Sequence, residues 1–254
     1  MLEAQSLTKH FFGLMAVGNV STRFEAGKIS AIIGPNGAGK TTFFNLVAGT
    51  HKPSSGRILF KGEDITGLRP DLITRLGIAR TFQSTNLFDN ATVLDNLIVG
   101  HRLRTRSGLL DVLLGTRRLR EEERLCREKA REALDFVGLS HVEKRIAADI
   151  TQEERKRVAF ALALATEPEL LLLDEPAGGV NQEETMGLAE LIRKIVRHGK
   201  TVCLIEHKMD MIMQLADMIV VLNNGVKIAE GTAAEIRRDP NVIEAYLGAE
   251  HAAL

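Results

Sequence analysis

The stretch GPNGAGKT at residues 34–41 constrains this chain more than any other. It fits G-x-x-x-x-G-K-[ST], with the apolar segment KISAIIG running into it and the helix-favouring TTFFNLVAG running out, stopped by Gly49. A buried strand, a glycine-rich turn and a helix in that order call for an α/β layout, with the strand in a sheet covered by helices. The glycines let the backbone N–H groups of Asn36, Gly37, Ala38 and Gly39 converge on phosphate oxygens, and the helix start adds its positive end. In this arrangement Lys40 is expected to reach the β- and γ-phosphates, Thr41 to ligate Mg²⁺ and Thr42 to bond the α-phosphate. The competing reading is an ordinary glycine turn before a helix.

Two further strand ends carry chemistry. Asp174 and Glu175 close the run LLLLDE, where a parallel strand presents side chains at its carboxyl end beside a ligand crevice. Two carboxylates there invite two roles: Asp174 in the Mg²⁺ shell, through water, and Glu175 as the base that orients and deprotonates an attacking water. His207 ends a second apolar run, TVCLIEH, and so takes an equivalent position. Gln83, in RTFQSTNLF, stands where strand-rich sequence gives way to helix-favouring sequence, from which its amide could touch Mg²⁺ or water and report the site's state to the helices.

The rest of the chain supports one large domain with subdivisions. Its 254 residues, 44% apolar, suffice for a sizeable core. Residues 1–83 read as strands interrupted by one helix, residues 84–157 as a helical subdomain, and residues 158–254 as the remainder of an α/β core with βαβ rhythm. In the helical part Leu119, Cys126, Ala130, Ala133 and Val137 fall on one face, which reads as packing. Lys+Arg and Asp+Glu both number 33, so charge gives no reason to expect nucleic acid as a partner. The two cysteines are far apart, the histidines show no ligand spacing, and no apolar run is long enough to span a membrane.

GPNGAGKTT, RTFQ, LLLLDEPAGGVN and LIEH, in that order over most of the chain, resemble the nucleotide-binding subunit of an ABC transporter. GLMAVGNVS, RLGIARTFQSTNLFDNATVLDNLIVG and DPNVIEAYLG bring the likeness closer to the branched-chain amino-acid importer group. The resemblance implies a P-loop core of the ABC ATPase type with an antiparallel β subdomain and a helical subdomain. Lys40 and Thr41 then match the Walker A pair, Gln83 the Q-loop glutamine, Asp174 and Glu175 the Walker B residues, and His207 the switch histidine. Phe11 in KHFFG matches the aromatic that stacks on adenine, although Phe12 replaces a glycine beside it and leaves open which ring stacks. Asn181 stands at the D-loop aspartate. ATP and Mg²⁺ are the implied ligands, and Mg-dependent ATP hydrolysis coupled to transport the implied activity. The implied setting is peripheral, on the cytoplasmic face of the inner (plasma) membrane, with permease subunits that dock through residues following Gln83, among them Leu87 and Phe88. A nucleotide-gated regulatory subunit with negligible hydrolysis is the alternative; a soluble ABC ATPase acting on DNA or ribosomes fits the neutral charge poorly.

Subunits of this kind work as head-to-tail dimers, with each ATP between one phosphate loop and the other chain's signature, usually LSGGQ at a helix start. Counting back from Pro168 places the signature at Ile150, Thr151, Gln152, Glu153 and Glu154, with neither glycine present. T-x-x-E is itself a capping box: the Thr151 hydroxyl can accept from the first turn while Glu154 reaches back to the Thr151 N–H. A carboxylate placed about 4 Å from a phosphate charge costs roughly 4 kcal/mol at an effective dielectric of about 20. The expectation is a chain that is a weak ATPase alone and prefers a second ATP-binding subunit with an intact signature, a heterodimer rather than a homodimer.

Overall fold

The structure, a computed structural model, describes residues 1–81, 87–101, 111 and 116–251. Ten strands occur among them: β1 (Leu2–Phe11), β2 (Leu14–Phe24), β3 (Ile29–Ile33), β4 (Ser55–Phe60), β5 (Glu63–Asp64), β6 (Ile78–Thr81), β7 (Leu170–Asp174), β8 (Thr201–Ile205), β9 (Met218–Asn223) and β10 (Val226–Gly231). Two compact units form, one from Met1–Arg80 with Glu169–Leu254, the other from Thr81–Pro168.

In the first unit one sheet has the order β2-β1-β4-β5 and is antiparallel throughout. The other has the order β10-β9-β3-β8-β7-β6, with β9, β3, β8 and β7 paired in parallel and β10 antiparallel at its edge. Every residue of β3, β7 and β8 is buried, which is why these strands read as unbroken apolar runs rather than alternating ones. The hairpin between β9 and β10 turns through Asn224 and Gly225 at φ of 47° and 80°, a conformation that Asn-Gly adopts at little cost. One core joins the two sheets: Phe24, Phe43 and Phe44 pack with Ile32, Leu172 and Val220, and the Phe24 and Phe43 rings meet edge to face at 6.2 Å.

The second unit is helical, with Val93–His101, Arg117–Phe136 and Gln152–Ala165 packed on one another. It is longer than the expected 84–157. Charge fades after Arg157, but the helix continues to Ala165 as its apolar half turns inward, so the boundary falls after Pro168. On helix Arg117–Phe136 the buried face consists of Cys126, Ala130 and Leu134, continued by Val137; Leu134 takes the place expected of Ala133, which is only half-buried.

Candidate nucleotide site

A cleft of about 490 Å³ opens in the first unit at the end of β3. Asn36, Gly37, Ala38, Gly39, Lys40, Thr41 and Thr42 line it from one side, Glu175 and His207 from another, and Leu14, Met15, Ala16 and Asn224 from a third. The glycines are there for stereochemical reasons. Gly34 and Gly39 have φ of 149° and 96°, and a Cβ would lie 2.0 Å from the Leu222 carbonyl oxygen at the first and 2.3 Å from that of Ala16 at the second. Only glycine fits such a cradle.

Helix Lys40–Val47 begins at Gly39 with no side-chain cap and no acidic residue in its first turn. Its N–H groups are therefore left for an anion. The Lys40 ammonium, buried in the loop, donates to the Gly34 and Pro35 carbonyls at 2.8 Å each. Burial lowers its pKa, and the negative fields of Glu175 and Asp174 oppose that shift. The loop is braced from behind: Gly225 N–H donates to the Ala38 carbonyl at 3.1 Å, and Gly18 N–H to the Gly225 carbonyl at 2.8 Å. Tyr246, on the C-terminal helix Pro240–His251, hydrogen-bonds the Gly34 backbone, and burial raises the pKa of its phenol.

Across the cleft, His207 Nε2 lies 3.0 Å from Glu175 Oε1. Glu175 has φ of 48°, a left-handed conformation costing a non-glycine residue about 1–2 kcal/mol. It is held there by its N–H donating to the Ile205 carbonyl at 2.9 Å and its carbonyl accepting from Gly178 at 3.1 Å. Asp174 is nearly fully buried and takes a hydrogen bond from Arg80 Nη2 at 2.7 Å, while Arg80 Nη1 donates to Asn45 Oδ1 at 2.5 Å. A glycine cradle, an uncapped helix start and a lysine fit a polyphosphate, and the Thr41 hydroxyl is an oxygen donor of the kind that suits a hard cation such as Mg²⁺; Asp174, the other donor expected there, is held by Arg80 and is not among the residues lining the cleft.

Residues 17–178 match the family model described as "ABC transporter". The chain belongs to the ABC transporter family. Residues 226–252 of this ABC subunit match a second model, described as "Branched-chain amino acid ATP-binding cassette transporter". Its relatives include the high-affinity branched-chain amino acid transport ATP-binding protein LivG of Escherichia coli K12, 40% identical over 98% of both chains. BraF of Pseudomonas aeruginosa, of the same description, is 41% identical over 98% of both. Among solved structures, the ADP conformation of MJ1267, an ATP-binding cassette of an ABC transporter, superposes with a TM-score of 0.86 at 33% identity, covering 98% of each chain.

The segment expected at the signature position, residues 150–154, opens a helix of the opposite kind from the phosphate loop's. Thr151 caps helix Gln152–Ala165 by accepting from the Glu154 N–H at 3.2 Å, while Glu154 Oε2 accepts from the Thr151 N–H at 2.7 Å. Glu154 is also 3.6 Å from Arg145 and 3.7 Å from His141, and Glu153 pairs with Arg157 one turn on. Ile150 is buried beneath this turn and Gln152 is exposed. Phe11 is not brought to the cleft: its ring meets His51 edge-on at 5.3 Å and lies 4.9 Å from the Lys9 ammonium. Phe12 takes the glycine position at φ of 47° with its ring wholly exposed. Gln83 lies outside the described residues.

Sequence reasoning passed over several residues that the fold gathers here. Leu14, Met15 and Ala16 start β2 and entered only within GLMAVGNVS, a mark of the importer group that assigns them no place in the site. Asn224 was signalled only by NNG after an apolar run, and Arg80 only by its place in RTFQ. Nothing in the sequence pairs Arg80 with Asp174, which are 94 residues apart.

Proposed function

We propose that this chain is the ATP-binding and hydrolysing subunit of an importer for branched-chain amino acids or closely related solutes. The observation that carries this reading is one cleft holding both a glycine-lined phosphate loop and the contact between Glu175 and His207 at 3.0 Å, in a chain of this family. It works peripherally on the cytoplasmic face of the membrane, with permease subunits that supply the solute's path. Phe88 is a docking residue for them: it is well exposed while Asn96 holds its backbone on both sides, accepting from its N–H at 2.7 Å and donating to its carbonyl at 3.2 Å.

Within the cleft, Lys40 and the uncapped helix start bind the phosphates. Glu175 accepts the proton of the attacking water, and His207, bonded to Glu175, fixes the carboxylate's direction. Thr41, Asp174 through water, and Gln83 would hold Mg²⁺, which when bound neutralises charge on the phosphate oxygens. The capped start at Thr151 supports a heterodimer, because Glu154 already accepts from the Thr151 N–H, the Thr151 hydroxyl from the Glu154 N–H, and the carboxylates of Glu153 and Glu154 offset the helix's positive end. The second ATP-binding subunit then contributes the signature for this chain's site.

Reconstitution tests the proposal. In vesicles carrying the permease subunits and the second ATP-binding subunit, ATP-dependent leucine uptake should require this chain and be lost with Glu175→Gln. Uptake that persists without this chain would remove it from the importer.

A further inference from the structure

Three consecutive residues after β8 each grip the segment after β7, and only the middle one lines the cleft. His207 contacts Glu175. Before it, Glu206 is buried, with Oε1 accepting from the Ala177 N–H at 2.7 Å and Oε2 from the His207 and Lys208 N–H groups at 2.8 and 3.2 Å. After it, Lys208 Nζ donates to the Val180 carbonyl at 2.8 Å and to Thr185 Oγ1 at 2.7 Å; Thr185 in turn donates to the Asn181 carbonyl at 2.6 Å.

We infer that Glu206 and Lys208 are positioning residues for hydrolysis, locking residues 177–185 and the loop of His207 into one body so that His207 meets Glu175 in a fixed geometry. A carboxylate is suited to the first task. It offers two acceptor oxygens on opposite sides and no donor, and here three backbone N–H groups from two loops converge on them. Glutamine could satisfy one loop only, since its amide would turn N–H groups toward the other. Lysine suits the second task because its ammonium can bridge a carbonyl and a hydroxyl at once. Glu175 needs such support: its left-handed backbone persists only where neighbouring bonds over-determine it, and Glu206 holds the chain at Ala177, two residues on.

The inference rests on the reading of Glu175 and His207 as the hydrolytic pair, so Glu175→Gln serves as the reference. In the assembled complex, Glu206→Gln and Lys208→Met should each lower kcat about tenfold or more while KM and ATP affinity stay within about twofold, the pattern of a lost geometry rather than a lost phosphate contact. Lys208→Arg should recover part of the loss. In the purified full chain, Glu206→Gln should speed amide exchange at Ala177, His207 and Lys208 at least tenfold and leave β7 and β8 unchanged. Lys208 is only half-buried, so Lys208→Met carries the test if Glu206→Gln does not fold. Wild-type kcat in both variants beside a dead Glu175→Gln would overturn the inference and leave the hydrolytic pair standing. A fall in kcat matched by equal falls in ATP affinity and melting temperature would overturn it too, since it would show mere structural support. Wild-type turnover by Glu175→Gln would sink the reading beneath both.

Discussion

Replacing Glu153 by glycine should strengthen ATP-driven self-association of this chain, and the structure sets the size of the gain. Glu153 occupies the first turn of helix Gln152–Ala165, where the signature of a partner's ATP site would approach a phosphate. A carboxylate about 4 Å from one phosphate charge costs roughly 4 kcal/mol at an effective dielectric of about 20. Arg157, paired with Glu153, cancels part of that field, so the net penalty is about 1–4 kcal/mol, or about fivefold to several hundredfold. Arg157 stays in place after the change because its Nη1 also donates to the Val137 carbonyl at 3.0 Å, leaving an anchored cation at the helix start. Against this, a glycine in the helix costs up to about 1 kcal/mol of fold stability, which a melting curve separates from the association effect. The assay is sedimentation velocity with ATP and Mg²⁺ in a Glu175→Gln background, where bound ATP is not consumed. Glu153→Gly should associate at about fivefold or more lower concentration than the background, Glu153→Gln should fall between, and the gap should narrow with salt. Equal association across the series would refute the electrostatic argument.

Other outcomes follow from the same geometry. Gly39→Ala, which places a Cβ 2.3 Å from the Ala16 carbonyl at φ of 96°, should weaken ATP binding tenfold or more, whereas Gly37→Ala, with open space around it, should cost roughly 1–2 kcal/mol of fold stability as a left-handed alanine and weaken ATP binding far less; calorimetric titration and melting curves of both variants check this. Because Lys40 must be charged to hold phosphate and burial lowers its pKa from the ordinary 10.5, ATP affinity should fall as alkaline pH rises through that lowered value, with proton uptake on binding, and Lys40→Ala should abolish the uptake. Phe88→Ala should lower transport in vesicles while ATP affinity and the melting temperature of the chain hold steady, as its exposed ring touches little of its own fold.

Much of the site could be read from the sequence, for local reasons. The phosphate loop is a continuous segment whose glycines answer to backbone geometry, and β3, β7 and β8 are unbroken apolar runs because both sheet faces are covered. The capping box at Thr151 was legible because its two bonds span only three residues. What escaped depends on distant contacts. Arg80 meets Asp174, and Glu206 collects N–H groups from two loops, through sheet order rather than through any motif. The side to which Phe11 turns is settled by packing against His51, 40 residues away, which neither strand pattern nor resemblance could supply. The end of the helical unit was misplaced for a related reason: charge marks the solvent face of a helix, and helix Gln152–Ala165 loses its charge before it loses its helix.

Steady-state ATP turnover of four samples shows whether one chain joins a complete phosphate-loop half-site to an incapable signature. These are this chain alone, the second ATP-binding subunit alone, their mixture with permease subunits, and that mixture with Glu175→Gln in this chain. Hydrolysis by this chain alone should be slow and non-cooperative at any concentration, and hydrolysis by the mixture brisk and at least a hundredfold slower with Glu175→Gln. Brisk, cooperative hydrolysis by this chain alone would contradict this, because Glu153 would then be tolerated beside the γ-phosphate.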